Sequence, residues 1–324
     1  MDIPAINIDN FKDILQQLHK PYHDSYLAMY SSVFGGIVTD PVLMMLPIDD
    51  HMVHRGDGIF ETFKCVAGGI YNLGAHLERL ERSAKNLDFV LPVSIDKLRE
   101  IVIKAVRAAG QKECYIRVFV SRGPGSFGVN PYDCPASQLY VVVTRAPKPF
   151  MVAHPRGASL ATSAVPVKHP FFAGVKNCNY LNNVLMKKEA VGAGVDFVVA
   201  FDEAGRLAEG ATENIGVVTE KGELLFPALD GILKGTTMMR VMELAEKATE
   251  QSPITASLFG NVTRRQIENA AEILIVGTTT NVTKVYSFDG SPVGSGDYPV
   301  FEFLSKLLED DIYHNSDIRT VVFD

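Results

Sequence analysis

Residues 171–197 read FFAGVKNCNYLNNVLMKKEAVGAGVDF and place three lysines in two different settings. Lys187 and Lys188 lie well inside a predicted helix, where a solvated helix face accounts for both. Lys176 instead ends the apolar approach FFAGV, and the helix after it is predicted to begin near residue 177 or 179. Burial penalises the charged form of a lysine and a helix N-terminus disfavours a positive charge, so both favour a neutral amine. Lys176 is therefore a candidate nucleophile, and an ordinary loop lysine on the surface is the alternative.

The segments around this stretch predict an α+β protein with two domains. Residues 26–47 and 58–73 each read as strand, turn and strand, and Gly68-Gly69 marks a hairpin in the second segment. Short connections between consecutive strands favour antiparallel pairing, with helices packed on the sheets. The segment 145–157 contains three prolines and little periodicity, which favours a linker. We predict an N-terminal α/β domain over 1–145 with a short helical extension over 1–25, a linker over 146–157 and a C-terminal domain over 158–324.

The composition limits the classes of protein to which this chain could belong. The chain has 324 residues, of which 47% are apolar and 21% are charged, as in an ordinary globular protein. The formal charge of −7, with no dense basic run, argues against a nucleic-acid surface. The sequence shows no apolar run of membrane-spanning length, no signal-peptide pattern at its start and no close metal-type spacing of its four cysteines. These features predict a cytoplasmic enzyme with free thiols and with neither a membrane nor a nucleic-acid partner.

Glu209 is the second candidate for chemistry. It shares one face of a predicted strand with Leu207, and Gly210 ends that strand. A carboxylate on the apolar side of a strand end is costly unless a cation pairs with it. The alternative is an edge-strand glutamate that faces water.

Two threonine-rich turns predict a phosphate site. Gly277 and Thr278 directly follow the apolar strand EILIV, and Gly235, Thr236 and Thr237 stand at a helix start. Backbone N–H groups and threonine hydroxyls at such points suit a phosphate dianion. Each run alone is a weak signal, because threonines also cap helices for structural reasons. Neither run is a P-loop or a dinucleotide-binding fingerprint.

Arg79 is the cationic candidate for the same anion. It lies at the flank of the apolar stripe of the helix AHLERLERSAKNL, whereas Arg82 points roughly opposite, into water. From the flank a guanidinium can reach inward and bind a phosphate bidentately. The alternative is an ion pair with a neighbouring glutamate. The stripe consists of Leu77, Leu80, Ala84 and Leu87.

The stretch DDHMVH, residues 49–54, could suggest a metal site. A third ligand does not follow it at a recognisable spacing. The sequence therefore favours turn and capping roles for these residues and predicts no metal.

Together, these candidates resemble the class IV (fold-type IV) pyridoxal-phosphate aminotransferases. That family contains D-amino-acid transaminases, branched-chain aminotransferases and aminodeoxychorismate lyases. The resemblance covers about residues 28–310 and rests on the segments HRGDGIFET, HLERLERSAKNL, KNCNYLNNVLMKKEA, GRLAEGATENIGVV, GILKGTT and VGTTTNVT. Residues 29–62 look most like the plant D-amino-acid transaminase branch.

The resemblance implies a role for each candidate. Lys176 matches the lysine that forms a Schiff base with pyridoxal 5′-phosphate, and Glu209 matches the carboxylate bonded to the pyridine nitrogen. Tyr180 matches the tyrosine near the phenolic oxygen of the cofactor, and Asn214 matches a residue of the cofactor-side loop. The phosphate contacts match Arg79, Thr236, Thr237, Gly277 and Thr278. The resemblance also implies a smaller N-terminal α/β domain, a larger C-terminal pseudo-barrel that binds the cofactor, and a homodimer.

The implied reaction is a two-stage (ping-pong) transamination. An amino acid of branched-chain or D-amino-acid type gives its amino group to a 2-oxo acid such as 2-oxoglutarate. Lys176 would condense with the aldehyde of the cofactor and move the proton, while Glu209 keeps the ring nitrogen protonated. A lyase that releases pyruvate from aminodeoxychorismate would use the same two residues. A cofactor-binding protein without turnover is the third interpretation, and the intact pair argues against it.

Four residues are candidates for the substrate pocket. Phe60 matches an aromatic wall in the family. Arg117 stands where branched-chain enzymes have an arginine, and Arg122 stands where bacterial D-amino-acid enzymes have theirs. Since they are five positions apart in a strand, they should face opposite sides unless the following Gly-Pro-Gly bends it. We favour Arg117 as the carboxylate binder. Arg55 departs from the aromatic residue usual at its position and could be a second carboxylate binder.

Overall fold

The structure is a computed structural model that describes residues 3–247 and 252–323. Its helices are α1 (Ile8–Gln17), α2 (His51–Arg55), α3 (Leu73–Asn86), α4 (Ile95–Ala109), α5 (Phe150–Ala153), α6 (Pro170–Ala173), α7 (Leu181–Ala193), α8 (Thr236–Glu246), α9 (Arg264–Glu268) and α10 (Pro299–His314). Its strands are β1 (Tyr26–Ser31), β2 (Gly36–Val38), β3 (Gly58–Val66), β4 (Gly69–Tyr71), β5 (Cys114–Ser121), β6 (Gln138–Arg145), β7 (Ala158–Thr162), β8 (Phe197–Phe201), β9 (Leu207–Gly210), β10 (Asn214–Val218), β11 (Glu223–Pro227), β12 (Ala256–Gly260), β13 (Glu272–Gly277), β14 (Asn281–Phe288), β15 (Ser291–Pro292) and β16 (Arg319–Val321). Among the described helices, none combines the length and the apolar character needed to cross a bilayer.

The described chain divides into two compact units. The first comprises residues 3–71, 87–146 and 320–323, and the second comprises residues 72–86 and 147–319 apart from 248–251. The division near residue 146 falls at the start of the predicted linker. In contrast, α3 belongs to the second unit although the predicted N-terminal domain spans 1–145. The buried polar side chains of α3 bond to residues 176, 234 and 236, which explains this placement.

The first unit is built on one sheet with the strand order β16-β4-β3-β5-β6-β1-β2. Ala67 and Gly68 join β3 to β4, and both have positive φ (47° and 77°), as in a type I′ hairpin turn one residue before the predicted Gly68-Gly69. The predicted strand pair within 26–47 forms, but β2 ends at Val38 because Asp40 caps a 3₁₀ turn after it. Helix α4 begins after its Ser94 cap and ends at Gly110, as predicted.

The second unit contains a sheet whose strand pairs form a closed ring. The ring runs β10-β13-β14-β7-β8-β9, and the pair Asn214–Glu209 between β10 and β9 closes it. Strands β11 and β12 extend the sheet from β10, and β15 pairs with β14. Buried isoleucine, valine and leucine side chains of β7, β10, β13 and β14 pack into one cluster. The ring is thus a pseudo-barrel, and the pair that closes it brings two predicted site residues side by side.

Candidate active site

One face of α3 carries buried polar side chains that hold the segment before α8. His76 and Arg79 are three residues apart on this face, and they are 2% and 5% exposed. The Nε2 atom of His76 lies 3.1 Å from the hydroxyl of Thr236. Arg79 donates from Nη1 to the carbonyl oxygen of Lys234 at 3.1 Å. The predicted inward direction of Arg79 is therefore confirmed, and the predicted exposure of Arg82 is confirmed as well.

Lys176 lies in the same unit and is 9% exposed. Its backbone N–H donates to the hydroxyl of Ser83, on the same face of α3, at 3.4 Å. Its Nζ atom donates to the hydroxyl of Tyr180 at 3.4 Å. Lys176 is therefore a buried lysine fixed at both ends, rather than an ordinary lysine on the surface.

The helix after Lys176 begins later than the sequence predicts. Helix α7 begins at Leu181, with Tyr180 as its cap, so the predicted start near residue 177 or 179 is wrong. The side chain of Asn177 accepts a hydrogen bond from the N–H of Asn179 at 3.1 Å, which forms a local Asx turn instead of a helical turn. The environment of the Lys176 amine is therefore set by its burial and by the hydroxyl of Tyr180, not by a helix that begins directly after it.

Glu209 and Asn214, which face each other across the closing pair of the ring, both contact Leu233. Glu209 accepts a hydrogen bond from the N–H of Leu233 at 3.0 Å, and Asn214 donates to the carbonyl oxygen of Leu233 at 3.0 Å. These two side chains therefore hold both backbone groups of a residue three positions ahead of α8. Asn214 thus acts as a clamp on the backbone before α8, and its cofactor-side position stays a prediction.

Glu209 lies among positive charges. Burial raises the pKa of Glu209, whereas the ammonium group of Lys168, the N–H of Leu233 and the ammonium group of Lys176 lower it. The carboxylate of Glu213 is also buried and acts in the same direction as burial. The cationic partners that the sequence requires for Glu209 are thus two lysines of this unit.

The N-terminus of α8 has no side-chain cap among the described residues. Gly235 is its N-cap and supplies no side-chain bond to the first turn. Thr236 and Thr237 follow, and each is 7% exposed. The first N–H groups of a helix lack partners within the helix, and they attract anions. Together with Arg79, this helix end has the donors and the charge for a phosphate.

The second threonine-rich turn lies next to Asn214 through the pairing of β10 with β13. Asn214 pairs with Val276, and Gly277 and the half-buried Thr278 follow directly. Thr280 is 8% exposed, and its hydroxyl is one of the buried polar atoms that lack a hydrogen-bond partner among the described residues. The two predicted phosphate elements therefore flank the same residue.

Phe60 and Arg117 lie on one face of the sheet of the first unit. Phe60 pairs with Phe119 across β3 and β5, and their rings stack at 5.9 Å. Arg117 pairs with Thr62, so it shares this face two positions along. Arg117 is half-buried and donates to the hydroxyl of Thr144 at 3.1 Å. An aromatic surface thus lies beside one arginine.

Arg122 and Arg55 are bound within the first unit instead. Arg122 pairs with both carboxylate oxygens of Asp57, at 3.1 and 3.2 Å, and donates to the carbonyl oxygens of Leu87 and Asp88. Its guanidinium also lies 3.8 Å from the ring centre of Phe89. Arg55 is exposed and donates to the carbonyl oxygens of residues 54, 127 and 128. In this structure both arginines fix loops.

The predicted capping role of Asp50 is confirmed at the start of α2.

The amino-acid sequence from residue 58 to 288 matches the family model of the class IV amino-transferases. This chain is a class IV aminotransferase. It is 36% identical over 289 residues to the chloroplastic D-amino-acid transaminase of Arabidopsis thaliana, covering 89% of this chain and 77% of the relative. It is 31% identical over 274 residues to a putative branched-chain-amino-acid aminotransferase of Methanocaldococcus jannaschii, covering 84% of this chain and 90% of the relative.

Solved structures of related aminotransferases have the same fold. The T.th. branched-chain amino acid aminotransferase, complexed with N-(5′-phosphopyridoxyl)-L-glutamate, superposes with a TM-score of 0.82 at 28% identity. The superposition covers 92% of this chain and 99% of that chain. The predicted α+β class with a fold-type IV pseudo-barrel is therefore confirmed. Class IV aminotransferases use pyridoxal 5′-phosphate, so the predicted cofactor is confirmed as well.

The residues of the second unit fit this cofactor. Its phosphate is a dianion, and the free N-terminus of α8, the guanidinium of Arg79 and the unsatisfied hydroxyl of Thr280 match it. Its ring nitrogen needs an anionic partner, which Glu209 can supply. Its aldehyde needs an amine, which Lys176 can supply. The aminotransferase therefore carries the whole predicted donor set within one compact unit.

Several residues of this site are not predicted by the sequence. His76 and Ser83 join Arg79 at spacings of three and four, so the polar face of α3 was visible in the sequence beside the apolar stripe. Lys168 stands between Pro166 and Pro170, and its local sequence carries no signal of a site. Its proximity to Glu209 follows only from the fold.

We expect Gly235→Ala to weaken cofactor binding by at least about tenfold, or about 1.4 kcal/mol. A Cβ atom at Gly235 would lie 2.0 Å from the Oδ1 atom of Asn214, so the clamp on Leu233 and the first turn of α8 must shift. Equilibrium titration of the cofactor-free protein with pyridoxal phosphate measures the effect. Gly231→Ala is the control, because a Cβ atom there meets nothing within 4 Å. Equal affinities for the two variants would show that the clamp does not shape the phosphate site.

Proposed function

We propose that this aminotransferase uses Lys176 as its catalytic base and nucleophile and transfers the amino group of an apolar amino acid to a 2-oxo acid. When bound, pyridoxal phosphate supplies an aldehyde for the amino group and a ring that withdraws electrons. The observation that carries the proposal is the burial of the Lys176 amine against Tyr180 in the unit that also holds Glu209 and the phosphate donors.

The residues of the second unit have distinct tasks in this proposal. Lys176 takes the proton from the α-carbon of the substrate and returns it during the second half of the reaction. Tyr180, whose hydroxyl accepts from Nζ at 3.4 Å, orients that amine. Glu209 holds the proton of the ring nitrogen, because its ionised carboxylate favours the charged form of a neighbouring base. The phosphate contacts are Arg79, Thr236, Thr237, Gly277 and Thr278, and Asn214 positions the backbone before α8.

Arg117 is the proposed binder of the substrate carboxylate. Arg122 and Arg55 are engaged by carboxylate and carbonyl oxygens of their own unit, whereas the one hydrogen bond described for Arg117 goes to a threonine hydroxyl. The stacked rings of Phe60 and Phe119 beside it favour an apolar side chain on the substrate. The names of the relatives, a D-amino-acid transaminase and a putative branched-chain-amino-acid aminotransferase, agree with amino donors of this kind.

A spectral screen of the holoenzyme tests this proposal. Both hands of alanine and leucine, together with L-glutamate and aminodeoxychorismate, are mixed separately with the enzyme, and the cofactor absorbance is followed. We expect at least one alanine or leucine enantiomer to convert the cofactor to its amino form, and 2-oxoglutarate to restore it. The proposal would be wrong if none of the four converted the cofactor while aminodeoxychorismate gave pyruvate without an acceptor. That outcome would identify a lyase.

A homodimer is the proposed assembly. Helix α7 exposes an apolar stripe at helical spacing, and the adjoining segment exposes two phenylalanines. A second copy of the chain would cover such a surface, and sedimentation should then give twice the mass of the chain. A monomer at micromolar concentration would contradict this assembly. The exposed residues are Phe171, Phe172, Leu181, Val184, Leu185 and Val191.

A reducing compartment, such as the cytoplasm, is the proposed location. The cysteines are free. They include the buried Cys65 and Cys114, which lie opposite each other on the neighbouring strands β3 and β5 without a disulfide bond. Adjacent thiols that remain unbonded are typical of reducing surroundings.

A further inference from the structure

Lys168 is a second lysine close to Tyr180. It lies between β7 and α6, and it is half-buried. Its Nζ atom is 4.9 Å from the centre of the Tyr180 ring, and the Nζ atom of Lys176 is 5.8 Å from the same centre. A cation at this distance from the face of a tyrosine ring is attracted by its quadrupole. One aromatic ring therefore has two ammonium groups near it.

Lys168 also acts on Glu209. Burial lowers the pKa of Lys168, and the carboxylate of Glu209 opposes this effect. In return, Lys168 ranks ahead of Lys176 among the charges that lower the pKa of Glu209. A half-buried ammonium is stabilised by an anionic neighbour, and a buried carboxylate is costly without a cation. The positive charge of Lys168 and the negative charge of Glu209 thus stabilise each other.

We propose that Lys168 is a positioning residue of the cofactor site, which fixes the ring of Tyr180 and carries the countercharge of Glu209. This role rests on the proposed function, because Tyr180 and Glu209 are the residues assigned there to Lys176 and to the ring nitrogen. The countercharge opposes the effect of burial and favours the ionised form of Glu209, which a protonated ring nitrogen requires. The same positive charge makes protonation near Lys176 less favourable.

The charged and titratable groups that face Lys168 come from two directions. Tyr180 comes from the segment before α7, and Glu209 comes from β9. Lys176 lies near the same tyrosine ring as Lys168. Glu213 opposes Lys168 by raising the pKa of Glu209. Lys168→Met removes one positive charge from this set, whereas Lys168→Arg keeps it. For the absorbance of the holoenzyme, Lys284→Met is the matched control, because Lys284 is also half-buried and its Nζ atom lies 4.7 Å from the centre of a tyrosine ring, that of Tyr298.

The first measurement uses the cofactor-free protein. A buried glutamate with a raised pKa binds protons more strongly when folded, so the protein loses stability as the pH rises from the unfolded value through the folded one. Lys168→Met raises the pKa of Glu209 further, so the difference in melting temperature from the parent should grow from pH 5 to pH 8. In a Glu209→Gln background that growth should vanish. Lys168→Arg, which keeps the positive charge, should follow the pH dependence of the parent. A difference that is independent of pH, or that persists with Glu209→Gln, would overturn the pairing.

The second measurement uses the holoenzyme. The absorbance of the cofactor bound to Lys176 is titrated with base, and Lys168→Met should move its transition upward by about half a pH unit or more, because one repelling charge is gone. Lys168→Arg and Lys284→Met should leave the transition in place. An unmoved transition in Lys168→Met would reject the role of Lys168 at Tyr180. If the cofactor were found on a lysine other than Lys176, the proposed function would fail, while the stability measurement would still decide the pairing with Glu209.

Discussion

Lys176→Ala is expected to lower the rate of transamination by at least about a thousandfold, because one amine both binds the cofactor covalently and moves the proton. The variant should still bind pyridoxal phosphate through Arg79, the N-terminus of α8 and the turn at Gly277, without a covalent bond. Single-turnover kinetics with the amino donor identified by the spectral screen measure the loss. The absorbance of the lysine-bound cofactor should disappear in the same samples.

Lys188→Ala is the matched control for this prediction. Lys188 is exposed on α7, twelve positions after Lys176, and none of the contacts of the proposed cofactor site involves it. Its rate and cofactor absorbance should equal those of the parent. Turnover near the parental rate in Lys176→Ala, with covalent cofactor retained, would place the chemistry on another lysine.

Glu209→Gln is expected to slow proton transfer by about a hundredfold or more while the cofactor remains bound. The amide can still accept from the N–H of Leu233, so the clamp before α8 is kept and only the negative charge is lost. Without that charge the ring nitrogen loses its proton more easily and the ring withdraws fewer electrons. The rate of α-proton exchange in deuterated buffer isolates this step from product release.

Glu213→Gln supplies the comparison for Glu209. Glu213 is buried whereas Glu209 is half-buried, and the oxygens of Glu213 accept from the backbone and the hydroxyl of Thr212, not from Leu233. We expect a smaller effect on proton exchange, because Glu213 has no assigned contact to the ring nitrogen. Equal rate losses in the two variants would mean that general electrostatics, not a specific partner, accounts for the effect of Glu209.

The sequence predicts the separate parts of this site better than it predicts how they join. The inward flank of Arg79 and the capped ends of α4 follow from local periodicity and capping residues, and both are confirmed. The late start of α7 was missed, because an asparagine side chain competes with the helical turn at residues 177–179. Glu209 and Asn214 meet only because β9 and β10 close a ring of strands.

Long-range placement explains the remaining differences. Lys168 reaches Tyr180 and Glu209 through the packing of a loop on the barrel, and no local pattern encodes that approach. The alternation of a strand places Arg117 and Arg122 on opposite faces, but it does not reveal that Asp57 binds Arg122 from another element. The assignment of α3 to the second unit likewise depends on partners far along the chain.

Borohydride reduction of the holoenzyme tests the central claim most directly. Reduction fixes the cofactor to the amine that holds it, and peptide mapping by mass spectrometry then identifies that residue. We expect the phosphopyridoxyl group on the peptide that contains Lys176, at one group per chain. Its recovery on Lys168, Lys187, Lys188 or any other lysine would contradict the account.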